Sequence, residues 1–332
     1  MSFVADRVDA ALEWSVVGSF TSLGSALRRR LDHWAPLDGG RVAGRVMVMT
    51  GATSGLGLEA ARTLAGLGAS IEVIARDARK AEATCAGLRE ATGNPKVAFV
   101  VADTGDLAAV RRAAAELLHR HPAIHVLVHN AGALDDVRQE SPQGIELTVA
   151  SQVVGPFLLT GLLLPALRSG APARVLWVSS GGMYSEPLSV ARLEMPADGY
   201  DGTTAYARAK RAQVTLAELW AKRLAGDRIV VHSMHPGWAD TPAVRSSLPN
   251  FYRVMRRLLR TPAEGADTIV WLAVCPRLVG ETGQFWFDRK ARRTHFFRGT
   301  REDPDDRQRL WTLCCELAGI ERHGTRRGGS AR

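Results

Sequence analysis

A phenol and an ammonium spaced four residues apart, Tyr206 and Lys210, are the pair in this sequence best suited to moving a proton. On a helix, residues four apart share a face, so the two side chains would meet. A free phenol titrates near ~10, and depressing it by ~3 units asks for about 4 kcal/mol of interaction with the charged form. A neighbouring cation in a dry cleft can supply that. Upstream, Thr50-Gly51-Ala52-Thr53-Ser54-Gly55-Leu56-Gly57 follows the apolar run Arg45 to Met49 and opens a helical stretch from Leu58 to Leu67. A strand, a glycine turn and a helix N-terminus form an anion cradle, because unpaired backbone N–H groups point at a phosphate. Glycines at 51, 55 and 57 permit a tight turn and a close approach to a pyrophosphate, with hydroxyls of Thr50, Thr53 and Ser54 nearby.

Positioning these groups takes alternating strands and helices. Strands are predicted at 46–50, 70–75, 97–101, 125–129, 173–179, 228–234 and 284–287, with helices near 56–67, 77–92, 106–120, 142–169, 203–225 and 262–274. Such alternation specifies an α/β fold, a single Rossmann-type doubly wound parallel sheet with helices on both faces. Ligands in such sheets bind beyond the carboxyl ends of the strands, where the candidate residues cluster. Residues 1–40 read as a helical appendage, 41–295 as the nucleotide-binding domain with a lid at 238–262, and 296–332 as a helix followed by a disordered basic tail from Gly324. In the lid, Phe251, Val254, Met255, Leu258 and Leu259 make an apolar stripe edged by Arg253, Arg256, Arg257 and Arg260.

The G-x-x-x-G-x-G spacing followed by Tyr206-x-x-x-Lys210 resembles the short-chain dehydrogenase/reductase family over residues 42–290. The resemblance implies hydride transfer between an alcohol/carbonyl pair and a nicotinamide cofactor. It gives Tyr206 the proton transfer, Ser180 the substrate oxygen, and Lys210 the nicotinamide ribose and the tuning of Tyr206. His129-Asn130-Ala131-Gly132 resembles the family's N-N-A-G, which makes Asn130, Ala131 and Gly132 cofactor-binding positions: Asn130 can bond across neighbouring strands, Gly132 keeps the floor open beneath the adenosine ribose, and His129 is a packed histidine. Asp103 resembles the adenine-contacting acid, and Pro236-Gly237 with Thr241 the segment holding the nicotinamide. One departure stands out: Gln152 occupies the place of an Asn that positions a water leading from the lysine to solvent, and Gln is one methylene longer; the relay survives if the backbone carbonyl does the positioning and fails if the side chain does. The family's habit is dimers or tetramers, so a homo-oligomer is an open expectation.

The residues themselves favour NADP over NAD. An acid at the end of the second strand would bind the ribose hydroxyls of NAD. Here Ala75 is followed by Arg76, whose guanidinium can meet a 2′-phosphate, and then by Asp77, an N-cap candidate. The apolar lid suggests a lipophilic alcohol or carbonyl. The rival reading is a nucleotide-binding regulatory or scaffold protein with little turnover, for which Gln152 is the main argument. Sugar-nucleotide epimerases carry another glycine spacing and a larger C-terminal domain.

The 332 residues are 46% hydrophobic and 23% charged, enough for one full core. A formal charge of +9 comes from scattered arginines with no nucleic-acid motif or stacking array, so no nucleic-acid partner is expected. Asp6, Asp9 and Glu13 argue against a signal peptide, and Phe157 to Leu167 is too short to span a bilayer. Cys85, Cys275, Cys314 and Cys315 lack metal spacing and read as reduced cytoplasmic thiols. For the appendage, docking on the domain and a peripheral membrane contact are both open, the latter suggested by its aromatics and Arg28-Arg29-Arg30.

Overall fold

The computed structural model describes residues 3–37, 42–296 and 298–320; the tail expected from Gly324 lies outside them. Short apolar, β-branched runs form seven parallel strands: β1 (Val46–Thr50), β2 (Ser70–Ala75), β3 (Val97–Val101), β4 (Val126–His129), β5 (Ala173–Val178), β6 (Ile229–Met234) and β7 (Phe285–Phe287). An antiparallel edge, β8 (Lys290–Arg292), completes the order β3-β2-β1-β4-β5-β6-β7-β8. The reversal of strand order between β1 and β4 opens a crevice at the carboxyl edge.

Three helices precede the sheet: α1 (Phe3–Trp14), α2 (Val16–Phe20) and α3 (Ser22–Leu31). The crossovers are α4 (Gly55–Gly66), α5 (Ala78–Thr92) and α6 (Leu107–Arg120). Next comes a long helix whose parts are α7 (Leu147–Val149), a π-turn (Ala150–Val154) and α8 (Gly155–Ser169), and then α9 (Gly202–Arg223). Helices α10 (Pro242–Ser247) and α11 (Pro249–Met255) follow β6, and α12 (Pro262–Val274) leads to β7. The last helix is α13 (Pro304–Ala318).

Both faces of the sheet are covered, as a buried parallel sheet requires. On one face Leu64, Leu88 and Ile269 of α4, α5 and α12 share a core with residues of β1, β2 and β5. On the other, Val110, Phe157, Leu216 and Trp311 of α6, α8, α9 and α13 close the larger core. The predicted helix at 142–169 begins only at Leu147. Ser141 to Gly144 is a turn, and the Glu146 carboxylate accepts from the N–H groups of Thr148 and Val149. The sequence reading missed β8 altogether. Its hairpin turns on Asp288 and Arg289, both at positive φ (51° and 57°), where the usual Asn-Gly or Asp-Gly signal is missing.

The appendage docks through charge. Arg28, fully buried, donates to Asp9 at 2.7 Å and to Asp288 at 2.8 Å, while Arg260 reaches Asp288 at 2.5 Å. Burial pushes the Asp288 carboxyl up, but the Arg260 and Arg28 guanidiniums more than offset this and hold it below the ordinary range. Arg260, expected at the solvent edge of the lid, is 1% exposed, because this buried carboxylate draws it inward.

Candidate functional site

Every long crossover helix except α4 begins with a side-chain cap or grows from a preceding turn. Asp77, Asp106, Asp201 and Thr261 cap α5, α6, α9 and α12, whereas Ser54 makes no capping bond at α4. Its free N–H groups open into a cleft of about 720 Å³ at the carboxyl edge of the sheet, a size suited to a cofactor and a small substrate. Gly51, Thr53, Ser54, Gly55 and Leu56 line it. Gly55 sits at φ +53°, and a Cβ there would come within 3.3 Å of the Thr241 methyl, so glycine keeps the cradle open. Gly57 lies one step deeper. It packs on Gly51 and on the Asn130 amide, and serves the helix–strand contact rather than the cleft wall. Asn130 Nδ2 donates to Gly51 O at 2.9 Å, tying the turn to β4.

Beyond the ends of β2 and β3, Arg76, Asp103 and, unforeseen, Lys80 line the cleft. Asp77 accepts from Lys80 N at 3.0 Å, which fixes the first turn of α5 and sets Lys80 one turn beyond Arg76. Arg76 is exposed and has no ion-pair partner among the described residues, so its guanidinium is available to a ligand. Asp103 Oδ1 accepts from Gly105 N at 2.8 Å, a turn bond that leaves its other oxygen for a ligand.

At the opposite end, Tyr206 and Lys210 project from α9 toward the end of β5. Ser180 hydrogen-bonds the Tyr206 hydroxyl and also accepts from Gly182 N at 3.3 Å. Tyr206 keeps some surface open to the cleft but is otherwise enclosed by protein. Burial therefore raises its pKa, which the Ser180 bond partly counters. Lys210 is 2% exposed, and burial brings its ammonium down to about 7. The phenolate-favouring cation expected beside Tyr206 is thus weakened in this geometry. Lys210 Nζ lies 5.1 Å from the Tyr206 ring centroid and donates instead to Val178 O and to Gln213 Oε1, both at 3.1 Å.

Gln213 was not anticipated, although it lies one helical turn beyond Lys210. Its Nε2 donates to the backbone carbonyl of Gln152 at 2.7 Å, the acceptor that a relay water would use. The Gln152 side chain donates to Ala133 O at 2.6 Å, and its Oε1 is buried without a donor. A Cβ on Gly132 would fall 3.0 Å from that oxygen and 3.1 Å from Lys210 Nζ, so Gly132 makes room for both. An orphaned acceptor beside an ammonium on a cleft floor suits a ligand bearing hydroxyls. His129 is a packed histidine: Nε2 meets Thr160 Oγ1 at 2.7 Å and burial lowers it to about 3, leaving it neutral.

Pro236, Gly237 and Thr241 close the cleft from β6. Thr241 accepts from Val244 N and so caps α10, which leaves its hydroxyl proton free to donate. The support behind this loop comes from the appendage. Phe20 O accepts from Trp238 N at 2.8 Å, and the Phe20 ring packs on His235 at 4.5 Å. Of the lid stripe, Phe251 lines the cleft, Leu259 is buried, and Val254 is 78% exposed. Among the described residues no group of three or more His, Cys, Asp or Glu side chains could hold a metal.

Comparison with known proteins agrees with this arrangement. Residues 45–250 match the family model for the short chain dehydrogenases. The chain is 35% identical over 280 residues to dehydrogenase/reductase SDR family member 12 of Bos taurus, spanning 84% of this chain and 87% of that one. It is 33% identical over 282 residues to retinol dehydrogenase 12 of Homo sapiens, spanning 84% and 88%. A short chain dehydrogenase of Shigella flexneri solved with NADP superposes with a TM-score of 0.62 over 75% of this chain and 98% of that one, at 24% identity, a likeness of fold. With the matched segment running from β1 into the lid and the relatives aligned over most of their length, the chain belongs to the short-chain dehydrogenase/reductase family of oxidoreductases.

Proposed function

We propose that this protein is an NADP(H)-dependent oxidoreductase that interconverts an alcohol and a carbonyl on a lipophilic small molecule. The observation that carries the reading is the Ser180–Tyr206 hydroxyl pair, backed by Lys210, in the same cleft as the uncapped N-terminus of α4. Bound NADP(H) supplies or accepts the hydride. The N–H groups of Ser54 to Gly57 would hold its pyrophosphate, and Arg76 with Lys80 its 2′-phosphate. Lys210, beside the orphaned Gln152 Oε1, would meet ribose hydroxyls, and Thr241 the carboxamide. In the reducing direction Tyr206 gives its proton to the substrate oxygen while Ser180 donates a hydrogen bond that steadies the developing charge. Raised by burial, Tyr206 is held protonated, the form a proton donor needs at neutral pH.

Trp238, Val244, Leu248 and Phe251 give the substrate end an apolar wall, which supports a lipophilic substrate under a lid formed by α10 and α11. Four buried cysteines, with no disulfide among the described residues, fit a reducing, cytoplasmic setting. The second reading, a nucleotide-binding regulator with little turnover, draws support from the Gln213 amide that takes the relay carbonyl. NADPH oxidation measured against retinal, steroid ketones and medium-chain aldehydes separates the two. Turnover that disappears in Tyr206→Phe while NADPH still binds supports the enzyme, and tight NADPH binding with no turnover on any of them supports the regulator.

A further inference from the structure

Large apolar side chains at the surface of this protein are concentrated in one place. Five of the nine exposed large hydrophobics among the described residues lie between residues 14 and 27: Trp14, Val16, Val17, Leu23 and Leu27. Trp14 is 92% exposed and Leu23 65%. Four polar residues of the same helices, Asp9, Ser19, Ser25 and Arg28, are instead buried against the domain. Leu23 and Leu27 are four apart on α3 and share its outer face, while Arg28 and Ser25 take the inner one. A helix that only had to cover a core would be turned round, apolar side inward. An exposed apolar surface of this kind marks a contact with something apolar.

The rim of the surface is cationic. Ser22, at the start of α3, donates its N–H to Leu258 O at 2.9 Å, and Arg260 donates to Phe20 O and Ser19 O, both at 3.0 Å, so the lid and the appendage are joined side by side. That lid presents Arg253, Arg256 and Arg257 to solvent, around the exposed Val254; Arg30 does the same on α3. None of these four arginines has an ion-pair partner among the described residues. An apolar centre with an unpaired guanidinium rim complements acyl chains beneath anionic headgroups. A second copy of the chain complements it poorly, because a two-fold contact would set arginines against arginines.

We propose that the outer face of residues 14–27, together with the arginine-bearing lid, docks in the interface of an anionic lipid bilayer. The lid-side rim of the cleft, where Phe251 lines the substrate end, then faces the lipid. The docking adds a place of action to the reaction proposed above and does not depend on it, because the test below uses no substrate.

Co-sedimentation of the full chain with vesicles of phosphatidylcholine alone, and of one phosphatidylserine to three phosphatidylcholines, tests the proposal. Binding to the phosphatidylserine vesicles that weakens with added salt is the expected result. Leu23→Ser with Leu27→Ser should lower the partition coefficient ~10-fold or more, as loss of two apolar contacts implies. Arg256→Glu with Arg257→Glu should remove the preference for phosphatidylserine. NADPH binding in solution, unchanged in the Leu23/Leu27 variant, verifies that it has folded. Absence of binding to either vesicle overturns the proposal, as does binding indifferent to both pairs of substitutions. A dimer seen by sedimentation velocity and abolished by Leu23→Ser with Leu27→Ser assigns the surface to a second copy and overturns it too.

Discussion

Burial leaves Lys210 close to the balance between ammonium and amine near neutral pH. Burial lowers its pKa from 10.5 to about 7, so between those values the unfolded chain binds more protons than the folded one. Stability from this residue therefore rises with pH across that window and is least below it. Lys210→Met should raise the melting temperature at pH 6, and the gain should shrink steadily as pH rises from about 7 towards 10.5; a gain independent of pH would mean the lysine is not titrating as its burial requires. Gln213 explains why the Gln152 departure is not the whole matter. Its amide already bridges Lys210 and the Gln152 carbonyl, so Gln152→Asn alone should leave turnover unchanged. Gln213→Ala frees that carbonyl for water, whereas Gln213→Leu leaves it orphaned and should cost roughly 1–3 kcal/mol in denaturant unfolding. In the proposed reading, cofactor choice rests on Arg76 with Lys80. Arg76→Asp should lower the NADPH-to-NADH affinity ratio at least ~10-fold, the worth of one charge-assisted hydrogen bond, as read by cofactor fluorescence.

The glycine turn, Tyr206 and Lys210 were legible because strand, turn and helix signals are local: a strand ends in glycine, and a pair four apart shares a helix face. The strands could be read nearly to the residue for the same reason, as runs such as Val46 to Thr50 and Ala173 to Val178 have only one way to be buried on both sides. What escaped depends on contacts distant in sequence. β8 exists because Asp288 is gripped by Arg28 and Arg260, which keeps a hairpin turn at positive φ without glycine. Gln213 acquires meaning only when α9 lies beside the π-turn at Ala150–Val154. Lys80 becomes a cleft residue only when α5 is seated by Asp77. That gripped hairpin makes a prediction at the level of elements. Arg28→Met leaves Asp9 and Asp288 each short of a buried partner and should cost roughly 3–5 kcal/mol. The pH profile would change as well: both carboxylates are held low, so their contribution is present above the ordinary carboxylate range and is lost as pH falls through and below it.

At the scale of the molecule, the first helices are joined to the last strands. Asp9 accepts from Arg292 at 2.7 Å, Arg28 from α3 meets Asp288, and Arg289 donates to Ala35 O at 3.0 Å. Phe20 then fills the space between His235, Phe287 and Trp238, immediately behind the loop of residues 236–241 that closes that end of the cleft. A detachable appendage would leave cofactor binding intact when removed. This one supplies the acceptor for Trp238 N and the wall behind Gly237, where only a residue without a side chain fits against Phe20 O and the Arg260 guanidinium. A chain beginning at Ala35 should therefore both melt earlier and bind NADPH more weakly. Phe20→Ala in the full chain should reproduce the weaker binding at a smaller loss of stability, roughly 3–5 kcal/mol for an aromatic truncated in a packed site. Calorimetry for stability and fluorescence titration for NADPH distinguish the cases. If the shortened chain binds NADPH as the full one does, the appendage is a cover on the domain and the cleft is built by residues 42–296 alone.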